Sequence, residues 1–477
     1  MSLETRESDA TSADEVIGQL VAQGRQAMES IADYEQEQVD ELVQAVAWAV
    51  YEEQNARKIS EVAVEETGFG NVEDKVTKKQ RKTMGTLNDI LGKPSVGIID
   101  VDEERGITEI AKPVGVVGAV VPSTNPGATP ANIAMIALKG RNAVVLSPSP
   151  SGLGVCELVV ESIHEELDKV GAPRDLVQMV PPPVNKEKTY ALMEEVDLLQ
   201  VTGSSNNVAH GQQSGTPNYC VGEGNVVSVV DATADLEAAA SRIEKSKTFD
   251  YATSCSSDNS AVIVESVYEE MVAALEAEGG YLCNATEREK LEEAMFPEGH
   301  GSLSGDVIAK PPKQIAEAAE LEAPEAHEAA FFMVEGTGVG PDHPLSGEKL
   351  SVVLTLYKAI DFEEALSITS DILDFEGTGH SCGLHTTDEE HVDRIGHEID
   401  VCRLLINQPQ CYGNGGNFNN GLNFTLSMGA GTWGGNQLDE NLDYTHFLNI
   451  TTVSEVIEES VPTEEELFGS YHEKYGR

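Results

Sequence analysis

The chain has 477 residues, 82 acidic against 31 basic side chains for a formal charge of −51, and is 40% hydrophobic. That length and apolar content build one large α/β enzyme or two to three ordinary domains, and exclude a disordered acidic tail. The longest apolar stretch, 113–122, is about half of a membrane helix, and the acidic N-terminus lacks the apolar core of a signal peptide. The seven scattered cysteines read as no disulfide framework, so a cytoplasmic protein with no membrane partner is expected.

In chain order, Ser12 and Glu15 make a capping-box pattern ahead of a helical stripe through Val16, Ile17, Leu20, Val21 and Met28. A second helix is predicted over 36–66, stopped by Gly68. The basic run 75–82 (KVTKKQRK) reads as a solvated helix face, with a contact to a nucleotide or coenzyme phosphate as the alternative. Segments 95–101 and 107–112 flank a turn and predict a β-hairpin. Strands are then predicted at 114–121, 143–146, 176–180, 198–202 and 226–231, alternating with helices that begin after Thr129 and at Gly152. The alternation restarts after Asp231: helix 235–247, strand 261–265, helix 267–278, strand 350–356, helix 362–374, and strands 382–386 and 403–407. Strands alternating with helices predict doubly wound parallel sheets, in two halves that meet near residue 231.

Acidic residues recur along nearly the whole chain, and their self-repulsion is relieved by screening. This predicts adaptation to a saline cytoplasm, with an acidic partner-binding surface as the alternative, and it disfavours nucleic acid.

Two segments carry chemistry. In 249–260 (FDYATSCSSDNS), Cys255 lies among small hydroxyl residues, whereas a packing cysteine has aliphatic neighbours. Backbone N–H groups and hydroxyls there can stabilise a thiolate and an oxyanion. Composition alone leaves both a nucleophile and a structural thiol open. In 114–125 (VGVVGAVVPSTN) a strand runs into a polar loop, Pro122, Ser123, Thr124, Asn125, at the strand end where open α/β sheets bind ligands. Asn125 is either an oxyanion donor or a turn former before Pro126. Gly429, Gly431 and Gly434 fit G-x-G-x-x-G, yet no helical pattern follows, so this is no phosphate loop. The histidines lack metal-ligand spacing, and no metal is expected.

Together with "ALKGRNAVVLSPSP", "VTGSSNNV", "EKLSVVLTLYKAIDFEEAL", "GTGHSCGLHT" and "GTWGGNQLDEN", these segments resemble the coenzyme A-acylating branch of the aldehyde dehydrogenase superfamily, in family order over roughly residues 15–455. Within it, "RKTMGTLNDI", "STNPGATPAN", "TSCSS", "THFLNITTV" and "EEELFG" resemble the acylating sulfoacetaldehyde dehydrogenases. The resemblance implies an aldehyde dehydrogenase-like α/β fold: a dinucleotide-binding domain over 1–231, a catalytic domain over 232–436, and an oligomerisation strand with an acidic tail over 437–477, joined in a small β arm by the hairpin 95–112. A homodimer or homotetramer follows. It also implies NAD or NADP, with coenzyme A as co-substrate and a small polar aldehyde as substrate. Cys255 would attack the aldehyde and Asn125 would hold the oxyanion. Pro122, Ser123, Thr124, Ser147, Ser149, Gly203, Ser204 and Glu348 would bind the dinucleotide, with one more acidic surface residue as the alternative for Glu348. His380, with Thr253, Ser254 and Ser256, would lie near coenzyme A or substrate, a plain strand-entry histidine being the alternative. Ser147-Pro148-Ser149 leaves room for a ribose 2′-phosphate with no nearby acid to exclude it. The position of the water-activating glutamate of hydrolytic relatives falls on Cys220. A hydrolytic semialdehyde dehydrogenase and a non-catalytic protein on the same fold are the competing readings.

Overall fold

The computed structural model describes residues 12–299 and 301–477. Helix α1 (Ala13–Ser30) starts at the expected capping box, the Glu15 amide donating to Ser12 Oγ and the Ser12 amide to Glu15 Oε2. The predicted helix 36–66 is two helices, α2 (Gln36–Tyr51) and α3 (Glu53–Thr67). Glu52 turns to ψ 134° and its carboxylate accepts from the Asn55 amide, capping α3, and Gly68 ends that helix at φ 67°. Helix α4 (Val72–Ile90) follows, then the hairpin strands β1 (Gly97–Asp102) and β2 (Ile107–Pro113).

The next stretch alternates strand and helix: β3 (Val116–Val121), α5 (Thr129–Lys139), β4 (Ala143–Pro148), α6 (Leu153–Val170), β5 (Val177–Met179), α7 (Lys186–Glu195), β6 (Leu198–Thr202), α8 (Ser205–Gln213) and β7 (Asn218–Val221). These strands form a parallel sheet in the order β5-β4-β3-β6-β7. Its middle strands read as continuous apolar runs because helices cover both faces. Chain order reverses at β3, so a crevice opens at the carboxyl ends of β3 and β6.

A second, seven-stranded parallel sheet contains β8 (Val226–Val230), β9 (Asp258–Val264), β10 (Gly280–Leu282), β11 (Phe331–Glu335), β12 (Val353–Ala359), β13 (Cys382–His385) and β14 (Leu404–Ile406). Helix α9 (Leu236–Thr248) links β8 to β9, and the order is β10-β11-β12-β9-β8-β13-β14. The strand at 226–231, expected to close the first series, instead pairs with β9 and β13. The chain therefore passes between the sheets at 222–225, a few residues ahead of the expected position 231. Finally β15 (Leu448–Ser454) pairs antiparallel with β2, giving a three-stranded sheet with the hairpin. None of the described helices is long and apolar enough to cross a membrane.

Candidate active site

The site lies where the carboxyl ends of β3 and β6 face the amino ends of β8, β9 and β13. After α9 the chain makes a turn in which Asp250, Tyr251 and Ala252 have φ of 51°, 50° and 60°. Side chains with a β-carbon resist this left-handed region by on the order of 1–2 kcal/mol each, so the surroundings must hold the turn. Buried Asp250 anchors it. Its Oδ1 accepts from the Asn71 amide at 3.0 Å, and its Oδ2 from Lys75 Nζ at 3.0 Å, Lys78 Nζ at 2.7 Å and Thr253 Oγ1 at 2.7 Å. Burial favours protonation of this carboxyl, but Lys78 and Lys75 overcome it and hold its pKa below the ordinary value. The start of α4 thus clamps the turn that presents Thr253, Ser254, Cys255 and Ser256.

This corrects the reading of the basic run. Lys75, Lys78 and Lys79 are 5%, 8% and 2% exposed, so they form the inward face of α4 and not a solvated one. With Lys82 they follow i, i+3, i+4, i+7 spacing, the pattern that apolar residues use to reach a core.

Cys255 is half-buried and unpaired with other cysteines. Burial first and Glu348 second push its thiol up to about 12, while Arg403 and Lys78 oppose them. Gly224, in the passage between the sheets, brings three expected residues together. A β-carbon there would sit 2.6 Å from the Cys255 carbonyl oxygen and 3.0 Å from the His380 ring. The Gly224 amide donates to Glu348 Oε1 at 3.3 Å. Only glycine lets the chain pass through this gap. Glu348 is half-buried, and burial first, then Glu376 and Glu223, raise its carboxyl to about 8. His380 is 3% exposed, with Nδ1 bonded to Ser381 Oγ at 2.7 Å and Nε2 without a partner among the described residues. Burial, then Arg403, lowers its pKa to about 3, so the imidazole is neutral. Arg403, which the sequence reading missed, donates to the His380 carbonyl at 2.7 Å and also to the Gly429 carbonyl.

The loop after β3 lies opposite. Lys78 Nζ donates to Asn125 Oδ1 at 3.1 Å, which fixes the amide orientation and leaves Nδ2 as a donor with no acceptor among the described residues. Asn125, Ser254 and Ser256 line one cleft, so the expected oxyanion donor and the residues flanking the expected nucleophile share a space. Ser254 Oγ bonds Ser256 Oγ at 2.8 Å, while Thr253 is tied to Asp250 and Lys78 and is 1% exposed. Thr124 lies beside Lys75, Lys78 and Lys79, and Pro122 and Ser123 form the half-buried start of the loop.

A second groove runs over the ends of β3, β4 and β6. Val121, Ser147, Ser149, Lys186, Thr202 and Asn207 line it, together with Asn185 and Thr189, and no acidic side chain does. Ser147 Oγ bonds Thr189 Oγ1 at 2.9 Å. Gly203 and Ser204 lead into α8, whose N-terminal amides are a ready anion site. Hydroxyls, amides, one lysine and a helix N-terminus at a topological switch point suit a dinucleotide. Glu223 is exposed and accepts from Ser205 Oγ at 2.9 Å at that same helix start. Cys220 is 3% exposed and packs against Gly211 of α8, with burial raising its thiol to about 12. The G-x-G-x-x-G at 429–434 lies in irregular chain with no helix after it, as expected.

A sequence profile of the aldehyde dehydrogenase family matches residues 5–288. The chain is 47% identical over 468 residues to an acylating sulfoacetaldehyde dehydrogenase of Cupriavidus necator, covering 98% of this chain and 94% of that protein. It is 42% identical to another of that name from Bilophila wadsworthia, covering 95% and 98%. The structure matches the crystal structure of an acetylating aldehyde dehydrogenase from Geobacillus thermoglucosidasius with a TM-score of 0.89 at 34% identity, covering 94% and 98%.

Proposed function

The chain belongs to the aldehyde dehydrogenase family, and from that premise we propose that it oxidises sulfoacetaldehyde to its coenzyme A thioester with NAD or NADP as hydride acceptor. The convergence of Cys255, Glu348 and His380 on Gly224, with Asn125 lining the adjoining cleft, carries this reading. The names of the two sulfoacetaldehyde dehydrogenases support the choice of aldehyde.

Cys255 gives up its proton and adds to the aldehyde carbon, forming a thiohemiacetal. Asn125 Nδ2 and the Cys255 amide hold the oxyanion. A bound dinucleotide would supply the hydride acceptor for that carbon, and loss of hydride would let the oxyanion held by Asn125 collapse to a thioester on Cys255. Coenzyme A thiolate then displaces Cys255 and carries off the acyl group. The balance is aldehyde, oxidised dinucleotide and thiol in; acyl thioester, reduced dinucleotide and one proton out. Asn125→Ala removes one oxyanion donor and is expected to lower kcat by about 10²–10³ with a much smaller change in KM. Steady-state kinetics at saturating dinucleotide and coenzyme A checks this, and an unchanged kcat contradicts the role.

On this reading the five-stranded unit binds the dinucleotide, and Ser147 with Ser149 and Lys186 leaves room for NADP as well as NAD. The seven-stranded unit carries Cys255. The three-stranded sheet is an oligomerisation arm covered by a second copy of the chain. Its strands expose Ile98 (62%), Val101 (54%), Ile450 (44%) and Val453 (42%), a density of apolar side chains that a monomer would leave in water.

The charge of −51 belongs to a salt-adapted protein. Between about 0.1 and 2 M KCl the Debye length falls from about 10 Å to below about 3 Å, which screens the self-repulsion of the folded state. Melting temperature and activity are therefore expected to rise across that range, as differential scanning calorimetry and a dinucleotide assay would record. A flat or falling melting temperature contradicts the adaptation.

A further inference from the structure

The cleft shared by Asn125, Ser254 and Ser256 has an unusual wall. Lys78, Arg81 and Lys82 of α4 line it, and no carboxylate does, in a chain whose acidic residues outnumber its basic ones 82 to 31. Lys78 is engaged with Asp250, Thr253 and Asn125, which leaves Arg81 and Lys82 as the other cations of the cleft. Both are held in place by the Gly/Asn-rich loop after β14. Arg81 Nη2 donates to Asn417 Oδ1 at 2.6 Å, and its guanidinium lies 5.9 Å from the Tyr412 ring centre and 5.4 Å from that of Phe418. Lys82 Nζ donates to the Gly415 carbonyl at 2.5 Å and the Gly416 carbonyl at 3.2 Å. Asn417 Oδ1 is the side-chain acceptor of the Arg81 guanidinium among the described residues, and its other N–H groups remain as donors. Burial lowers the Lys82 ammonium to about 8, and an anion beside it would reverse that shift.

We propose that Arg81 and Lys82 form the specificity site for the aldehyde, binding a terminal anionic group, sulfonate or carboxylate, while the aldehyde carbon lies toward Ser254 and Ser256, the cleft residues that flank Cys255 in the chain. This rests on the acylating reading above and names the residues that select its substrate. The remaining N–H groups of Arg81 can donate to the oxygens of such a group, and Lys82 supplies a point charge beside it. A neutral aldehyde of the same length offers these two half-buried cations no counter-charge.

The test is kcat/KM for sulfoacetaldehyde, succinate semialdehyde and acetaldehyde, each with saturating coenzyme A and dinucleotide, in wild type, Arg81→Gln and Arg81→Lys. The ratio of sulfoacetaldehyde to acetaldehyde is expected to fall about 10–100-fold in Arg81→Gln, mainly through KM, with partial recovery in Arg81→Lys. Whether sulfoacetaldehyde or succinate semialdehyde is preferred by the wild type identifies the anion. A wild type that favours acetaldehyde, or a variant that loses all three substrates equally, overturns the site and leaves the acylating reading intact. A wild type that reduces dinucleotide with none of the aldehydes overturns the reading itself. Should Arg81→Gln not fold, a binding measurement on the wild type decides. Ethanesulfonate should slow alkylation of Cys255 by iodoacetamide, and the uncharged ethyl methyl sulfone should not; equal protection by both overturns the site.

Discussion

Cys255→Ala is expected to lower dinucleotide reduction by about 10⁴-fold or more while dinucleotide binding persists, because removal of a covalent nucleophile leaves only positioning and electrostatics. The dinucleotide groove lies over β3, β4 and β6, away from the turn at 250–256, so its affinity should survive the substitution. The other cysteines make good controls. Cys156, Cys220, Cys283, Cys382 and Cys411 are buried, and Cys402 is the other partly exposed thiol. Iodoacetamide can therefore label two positions, and only the variant pair Cys255→Ala and Cys402→Ala separates them. Activity should vanish in the first and remain in the second. Fluorescence titration with the dinucleotide, beside the steady-state assay, checks both halves of the claim. Near-normal turnover by Cys255→Ala would reject the thioester mechanism altogether.

How much of this was legible in the sequence depended on the kind of signal each residue carries. Alternating apolar strands and helices located most of the parallel strands, β6 to the residue, because a run buried on both faces is unmistakably apolar, whereas β7, β10 and β11, three to five residues long, were not predicted. The hairpin β1–β2 and its partner β15 were equally plain, one from its turn and the other from the family resemblance. Cys255 and Asn125 stood out through polar neighbours at strand ends. Helix α4 did not, since the periodicity that reveals a buried face is sought among apolar residues, and here lysines occupy it. The spacing of Lys75, Lys78, Lys79 and Lys82 was present in the sequence, but nothing local says that Asp250, 175 residues away from Lys75, will neutralise part of it. The break at Glu52 was likewise invisible, with no proline or glycine to mark it. Arg403 and Gly224 act through contacts between distant segments, which no local pattern encodes.

The second large effect concerns the acceptor. An acyl group on Cys255 can leave to water or to a thiol, and the outcome turns on whether a base is aimed at water. Cys220, which the family resemblance places at the position of the hydrolytic glutamate, is a buried thiol packed on α8. Glu223 is exposed and bonded to Ser205 at the start of that helix. Glu348 is the acid whose charge acts on Cys255; its carboxyl is raised to about 8 and accepts from the Gly224 amide. General-base assistance is typically worth 10²–10⁴-fold, so hydrolysis without it should be slower than transfer to coenzyme A by about that factor. Coenzyme A needs no such base once its thiol is ionised. In its absence, reduced dinucleotide should appear as a single burst equal to the number of Cys255 sites and then nearly stop.

Steady-state reduction of NAD or NADP at saturating sulfoacetaldehyde, with and without coenzyme A, tests this most directly when the product is identified in the same reaction. The account predicts sustained turnover and an acyl thioester with coenzyme A, and a burst followed by a rate about 10²–10⁴-fold lower without it. Equal rates in the two reactions, with a free acid as the product, would contradict it.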